Sequence, residues 1–311
     1  MIKKIYFSYY CDRWFLMNSS RLKPSTCAKY YTNIEKYIKP YFGKELLHRI
    51  TPEKVDEFTQ TLICERNLSV KTVRDILVLF HSIFVYAGKR AGRGSSNVEI
   101  IYPQKSRKQV RVLNEQEEKR LILYLADRMD LCKFGVYMAL RTGLRIGELC
   151  ALQWKDISMN ALTISVEHTV QRIKNLDPGI DQKTKVIVEA PKSDSSCRTI
   201  PLMPDIAALC AQFDCGDPKA FVLTGTSQCL EPRKLQRCLK SYLEDCGISE
   251  AHFHTLRHTF ATRCIEAGFD MKTLSEILGH ANIHITMNQY VHPDLELKRE
   301  NMSRLKNAIC I

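Results

Sequence analysis

Residues 142–149 read Thr-Gly-Leu-Arg-Ile-Gly-Glu-Leu, with Arg145 between two glycines and Glu148 three positions on. Two shorter stretches follow: residues 254–258, His-Thr-Leu-Arg-His, and residues 278–280, Leu-Gly-His, with Tyr290 ten residues past His280. Singly each is ordinary. An arginine beside a glycine commonly bonds carbonyls at a helix end, and an H-x-x-R arises often by chance. Their joint occurrence in this order is far rarer. His254 and Arg257, three apart, project to the same side of one helical turn.

Working outward, Asn114-Glu115-Gln116-Glu117 opens a helix, and residues 132–140 form an apolar, buried one. Strand-like runs follow at 162–170 and 184–189, with Asp177-Pro178-Gly179 as the turn between them, and a third short strand at 198–202. From Asp205 onward the pattern is helical. This part is expected to be mixed α+β, with a small three-stranded antiparallel sheet inside a helical domain. Upstream, residues 1–90 read as entirely helical. Cys27, Tyr30, Ile34 and Ile38 recur at helical spacing until Pro40 marks an end. Thr51 and Pro52 open a second unit. Ser69 caps a third with the stripe Val73, Ile76, Leu77, Phe80 and Phe84, closed by Gly88. Residues 88–109 lose periodicity and gather Gly, Ser, Lys and Arg, as a linker does. The expected layout is a helical domain over 1–90, a basic linker over 91–112, a second domain over 113–293 and a tail helix over 294–311. In the tail, Met302, Leu305 and Ile309 fall at helical spacing.

The chain has 311 residues, 45% hydrophobic and 26% charged, which suits a soluble globular protein of two domains. No run of apolar residues is long enough to span a membrane, and the opening MIKKIYFSYYCDRWF has no signal-peptide core. Thirteen cysteines are scattered without a C-x-x-C pair, which supports neither a disulfide framework nor a zinc ribbon. They read as reduced thiols of a cytosolic protein. Net charge is +12, and residues 1–90 hold 16 Lys and Arg against 8 Asp and Glu. A cationic excess concentrated in this way points to a polyanion, most often nucleic acid.

Together these stretches resemble the tyrosine recombinase (phage integrase) family over nearly the whole chain, most closely integrases of conjugative transposons and integrative elements of Gram-positive bacteria. The resemblance implies a mainly α protein: an N-terminal helical core-binding (SAM-like) bundle over 1–90 that grips DNA, and the tyrosine recombinase catalytic fold over 113–293. It assigns Arg145, His254, Arg257 and His280 to catalysis, Tyr290 as nucleophile, and Lys192 in EAPKSDSSCRTIPL as the hairpin lysine. It implies a metal-independent DNA strand-exchange enzyme without cofactor, bacterial, cytoplasmic and nucleoid-associated. Its partners would be double-stranded DNA at recombination sites, further copies in a tetramer joined through the tail, and an excisionase or host DNA-bending protein. A tail folded back in cis is the alternative. Many mobile-element integrases carry a further N-terminal domain for arm-type sites; this sequence begins almost directly at the core-binding helices. Integration or excision of a mobile element is the leading reading. Xer-like chromosome or plasmid resolution is the runner-up, followed by a relaxing topoisomerase or nuclease and by a regulator that has lost catalysis.

The chemistry agrees with the residue types. Cutting a phosphodiester without metal requires charge compensation from the protein. Two guanidiniums offer planar forks to phosphate oxygens and stay charged at any working pH. They are aimed at the pentacovalent transition state, where the gain is largest. A tyrosine ester would store the bond energy for religation. Tyrosine's free pKa near 10 calls for a partner to take its proton, and His254 is the expected acid–base group. His280 would donate to the phosphate, Lys192 would protonate the departing 5′-oxygen, and Glu148 would orient a site residue. Lys183 and Lys185 compete with Lys192 for the lysine role. The pairs His254/His258 and His280/His284 raise the question of zinc, but no H-E-x-x-H or completing carboxylate accompanies them, so no metal is expected.

Overall fold

The computed structural model describes residues 5–92, 98–104, 110–177, 179–190, 194–290 and 299, without the side chains of residues 194, 285 and 288–290. Lys192 and, apart from residue 299, the tail beyond 293 therefore lie outside the described residues. The chain divides into two compact units: Met1–Lys108 with Ile173–Lys185, and Gln109–Arg172 with Val186–Ile311.

The first unit holds α1 (Phe7–Ser19), α2 (Pro24–Asn33), the short α3 (Lys39–Phe42), α4 (Pro52–Gln60) and α5 (Val70–Arg90). Thr51 and Ser69 cap α4 and α5, their hydroxyls accepting from the N–H of Lys54 and of Thr72. The expected stripe of α5 is buried throughout. Phe80 in that stripe stacks on Phe42 at 4.7 Å and approaches Phe7, Phe58 and Phe84, so one aromatic pile joins α1, α3, α4 and α5.

Two expected helix ends move. The helix does not stop at Pro40 but continues to Phe42. A wide turn over Ile34–Ile38, in which Lys39 N–H reaches back to Ile34 O, lets a residue without an N–H follow while the axis is kept. Nor does α5 stop at Gly88, which is buried inside it; the helix runs to Arg90. Part of the presumed linker is also packed. Val98 is buried, Ile100 and Tyr102 lie on the same core, and Arg74 donates to Pro103 O at 2.9 Å.

In the second unit, α6 (Glu115–Ala126) begins at a capping box between Asn114 and Glu117. Next come α7 (Leu131–Thr142) and α8 (Ile146–Ala151), followed by β1 (Ile157–Ser158), β2 (Thr163–Val166), β3 (Thr169–Lys174), β4 (Thr184–Glu189) and β5 (Arg198–Pro201); the end of β3 and the start of β4 are grouped with the first unit. The unit closes with α9 (Pro204–Phe213), α10 (Pro232–Asp245), α11 (Phe253–Glu266), α12 (Met271–Leu278) and α13 (Ile283–Tyr290). Buried α7 lies among α6, α9, α10 and α11 at the centre of the core.

The three-stranded antiparallel sheet is built from other strands than expected. Its order is β1-β2-β5, with Ile164 opposite both Ile157 and Ile200, while β3 and β4 pair separately. The run 162–170 is thus two strands in two sheets. The expectation of unbroken helix after Asp205 also fails. Residues 214–231 are irregular because their backbone is committed elsewhere: Trp154 N–H bonds Ala220 O, Val222 N–H bonds Leu152 O, and Phe221 bridges Gln153.

Candidate active site

The three motifs meet in the second unit through arginine-to-carbonyl bonds. Gly143 ends α7 in the left-handed region, at φ +66°, where a Cβ would strike the ring of Phe260. The reversal leads straight into Arg145, which precedes α8. Arg145 donates Nη2 to Gly279 O at 3.1 Å, and Arg257 donates Nη1 to Gly143 O at 2.7 Å and Nη2 to Leu278 O. Each motif is thereby tied to the other two.

Arg145 is the more accessible arginine, with 35% of its side chain exposed, whereas Arg257 is buried, 1% exposed, and donates to main-chain carbonyls. Both stand near His254 and His280. Desolvation, then the charge of Arg257 and of Arg145, pushes His254 down to about 4 and His280 to about 3. Both imidazoles are neutral at physiological pH. His280 Nδ1 and the Thr286 hydroxyl lie 2.8 Å apart, which orients the ring. His258 packs edge-on against His254 at 4.5 Å and is itself pushed down to about 4, first by burial. Tyr290 closes α13; its side chain, like Lys192, lies outside the described residues. Among the competitors for the lysine role, Lys185 forms an ion pair with Asp177 at 2.5 Å.

Two features were not read from the sequence. Glu148 serves two arginines: it receives Arg145 Nη1 at 2.6 Å and Arg198 Nη2 at 2.9 Å. In the sequence pattern Arg198 only opens a strand. Its signal was present, since it shares a strand face with Ile200, and an inward-facing cation needs a buried anion. The second feature is α10, which buries Leu235, Leu239 and Leu243 and exposes Arg233, Lys234, Arg237 and Lys240. Lys240 and Gln236 also line a cavity of about 550 Å³ that contains Arg145, His252 and His254 and is floored by Leu144, Leu239 and Phe253. A cationic strip therefore leads to the site. This arrangement is suited to holding a phosphodiester against a neutral imidazole and an exposed guanidinium.

Fold and site define a DNA strand-exchange enzyme of the tyrosine recombinase type. Residues 111–296 match the phage integrase family and residues 6–63 the phage integrase N-terminal SAM-like domain, so the chain belongs to the phage integrase family. It is 27% identical to a XerC-like tyrosine recombinase of Caldanaerobacter subterraneus subsp. tengcongensis, over 87% of this chain and 74% of that one. It is 25% identical to the ICEBs1 integrase of Bacillus subtilis, over 90% of this chain and 78% of that one. Its fold is similar to that of the Tn1549 transposon integrase in complex with a circular intermediate DNA. The TM-score there is 0.76 at 21% identity, covering 97% of this chain and 99% of that one. A lambda integrase tetramer bound to a Holliday junction gives a TM-score of 0.66 at 18% identity, covering 93% of this chain and 78% of that one.

Proposed function

We propose that this recombinase integrates or excises a mobile element by cutting and rejoining duplex DNA through Tyr290. The tyrosine oxygen bonds to the scissile phosphorus as the bond to the 5′-oxygen breaks, leaving a 3′-phosphotyrosyl link and a free 5′-hydroxyl. The tyrosine proton passes to neutral His254, and Lys192 protonates the departing oxygen. Arg145 and Arg257 compensate the charge of the transition state, and His280 donates to a phosphate oxygen. The observation that carries this reading is the junction of three motifs at Gly143, Leu278 and Gly279, with Arg145 the exposed member. Likeness to the ICEBs1 integrase over 90% of the chain favours a mobile element. The lambda integrase tetramer motivates a tetrameric assembly on two DNA sites, with the tail from residue 294 as the contact between copies. An excisionase or DNA-bending protein would set direction, and the working compartment would be the bacterial cytoplasm, at the nucleoid.

The test is a nicked suicide substrate carrying the element's own end, run on a denaturing gel with EDTA present. A covalent adduct is expected with the wild-type chain and none with Tyr290→Phe, whose DNA binding stays near normal. An adduct that persists in Tyr290→Phe, or wild-type cleavage that vanishes with EDTA, overturns the mechanism.

A further inference from the structure

Glu148 is an anion placed beside a site that must attract a phosphate. Its side chain is 3% exposed, and its only charged neighbour on the same helical turn is Arg145. A lone Arg145–Glu148 pair would be neutral, and the phosphate would meet a dipole rather than a cation. Arg198 changes that balance. It approaches from the buried side, 5% exposed, and donates Nη2 and Nη1 to the two oxygens of Glu148 at 2.9 and 3.2 Å. Its remaining bonds run to Ile277 O through Nε and to Ser196 O through Nη1. The trio of two cations and one anion keeps one net positive charge, and its most exposed member is Arg145.

The backbone is shaped around this residue. At Gly279, φ is +63°, and a Cβ would fall 3.0 Å from both Cδ and Nη1 of Arg198. The glycine whose carbonyl receives Arg145 is therefore the one at which a side chain would crowd Arg198.

We propose that Arg198 is a positioning residue for strand cleavage: it offsets the charge of Glu148 from the protein side, so that Arg145 keeps both its orientation and its full cation for the scissile phosphate. The proposal rests on the function argued above. It differs from a purely mechanical role, in which Arg198 would only fasten β5 to the end of α12. The two roles make opposite demands on a double variant. If charge balance matters, Arg198→Gln leaves Glu148 uncompensated, and adding Glu148→Gln restores the net charge. If only fastening matters, the second substitution removes a further link.

The experiment is single-turnover cleavage of the suicide substrate by the full chain at saturating DNA, with thermal unfolding as the folding control. Arg198→Gln is expected to slow cleavage about 10- to 100-fold, by analogy with partners that orient the ligands of metal sites, while DNA affinity changes less than about 3-fold. The Glu148→Gln/Arg198→Gln double variant should cleave at least about 5-fold faster than Arg198→Gln, and Arg198→Lys should fall between wild type and Arg198→Gln. A double variant as slow as Arg198→Gln or slower, or Arg198→Lys no better than Arg198→Gln, overturns the proposal. If Arg198→Gln does not fold, Arg198→Lys decides alone: cleavage within about 10-fold of wild type supports charge balance, and a larger loss overturns it. Failure of the wild-type chain to form an adduct, or an adduct in Tyr290→Phe, would instead sink the functional reading itself.

Discussion

His254, His258 and His280 make the site's acid sensitivity a property of individual residues. Each is held below the ordinary imidazole value of 6.5, His254 and His258 to about 4 and His280 to about 3. The unfolded chain therefore binds more protons than the fold as pH drops from 6.5 toward 4, and stability must fall across that window. Glu148, held below its usual range by Arg198 and Arg145, adds a further loss when it is finally protonated. Histidine-resolved NMR titration of the free protein should give midpoints near those values, and a midpoint near 6.5 for His254 would contradict a neutral base crowded by two arginines. Arg145→Ala should slow adduct formation by about 100- to 1,000-fold, since one lost transition-state contact typically costs about 3–4 kcal/mol. At this scale the sequence was informative wherever chemistry restricts the residue type. Arg145, His254, Arg257 and His280 were named from the sequence, and the fold brings them together. Arg198 was missed because its partner lies fifty positions away, and strand pattern alone does not identify the anion it meets.

Among the elements, α5 and α10 carry opposite tasks. Phe80 of α5 is fully buried in the aromatic pile. Phe80→Ala should cost about 3–5 kcal/mol, read as a lowered urea midpoint of the full chain. A change below about 1 kcal/mol would mean that the pile repacks freely. Helix α10 faces its charges outward, and Arg237 and Lys240 should meet phosphate. Arg237→Glu or Lys240→Glu should weaken DNA binding across sequences and flatten the salt dependence by about one unit of slope for each lost contact. An unchanged slope would remove α10 from the DNA path. The buried stripe of α5 was legible because period and residue type agree. The helix ends near Pro40 and Gly88 were misjudged because a wide turn and tertiary burial outweigh local breakers. Strand pairing was misassigned because β2 and β3 adjoin in sequence yet belong to different sheets, a distinction that the hydrophobic pattern does not encode.

For the whole molecule, the cationic excess of residues 1–90 predicts that the first unit contributes to DNA affinity. Deleting residues 1–90 should greatly weaken binding and reduce its steep salt dependence, while the second unit, with its own core, remains folded. Equal affinity of the shortened and full chains, measured by fluorescence anisotropy at several salt concentrations, would contradict this. The loss of periodicity after residue 88 marks a change of pattern, but the first unit runs on to Lys108 and also takes in Ile173–Lys185, which the sequence pattern does not show. The packing of Val98 and Tyr102 on the first core was not legible either, because apolar residues are sparse there and their target is remote in sequence.

The carbonyl bonds that close the site also set when it can exist during synthesis. Arg145 and Gly279 are 134 positions apart. A ribosome adding about 5–20 residues per second needs roughly 7–27 s between the two. Throughout that interval the nascent chain already holds the residues of the aromatic pile of α1, α3, α4 and α5, but the carbonyl that steadies Arg145 has not yet been made. On the proposed mechanism, a chain halted before Gly279 would lack the carbonyl that holds Arg145 and so could not cut DNA.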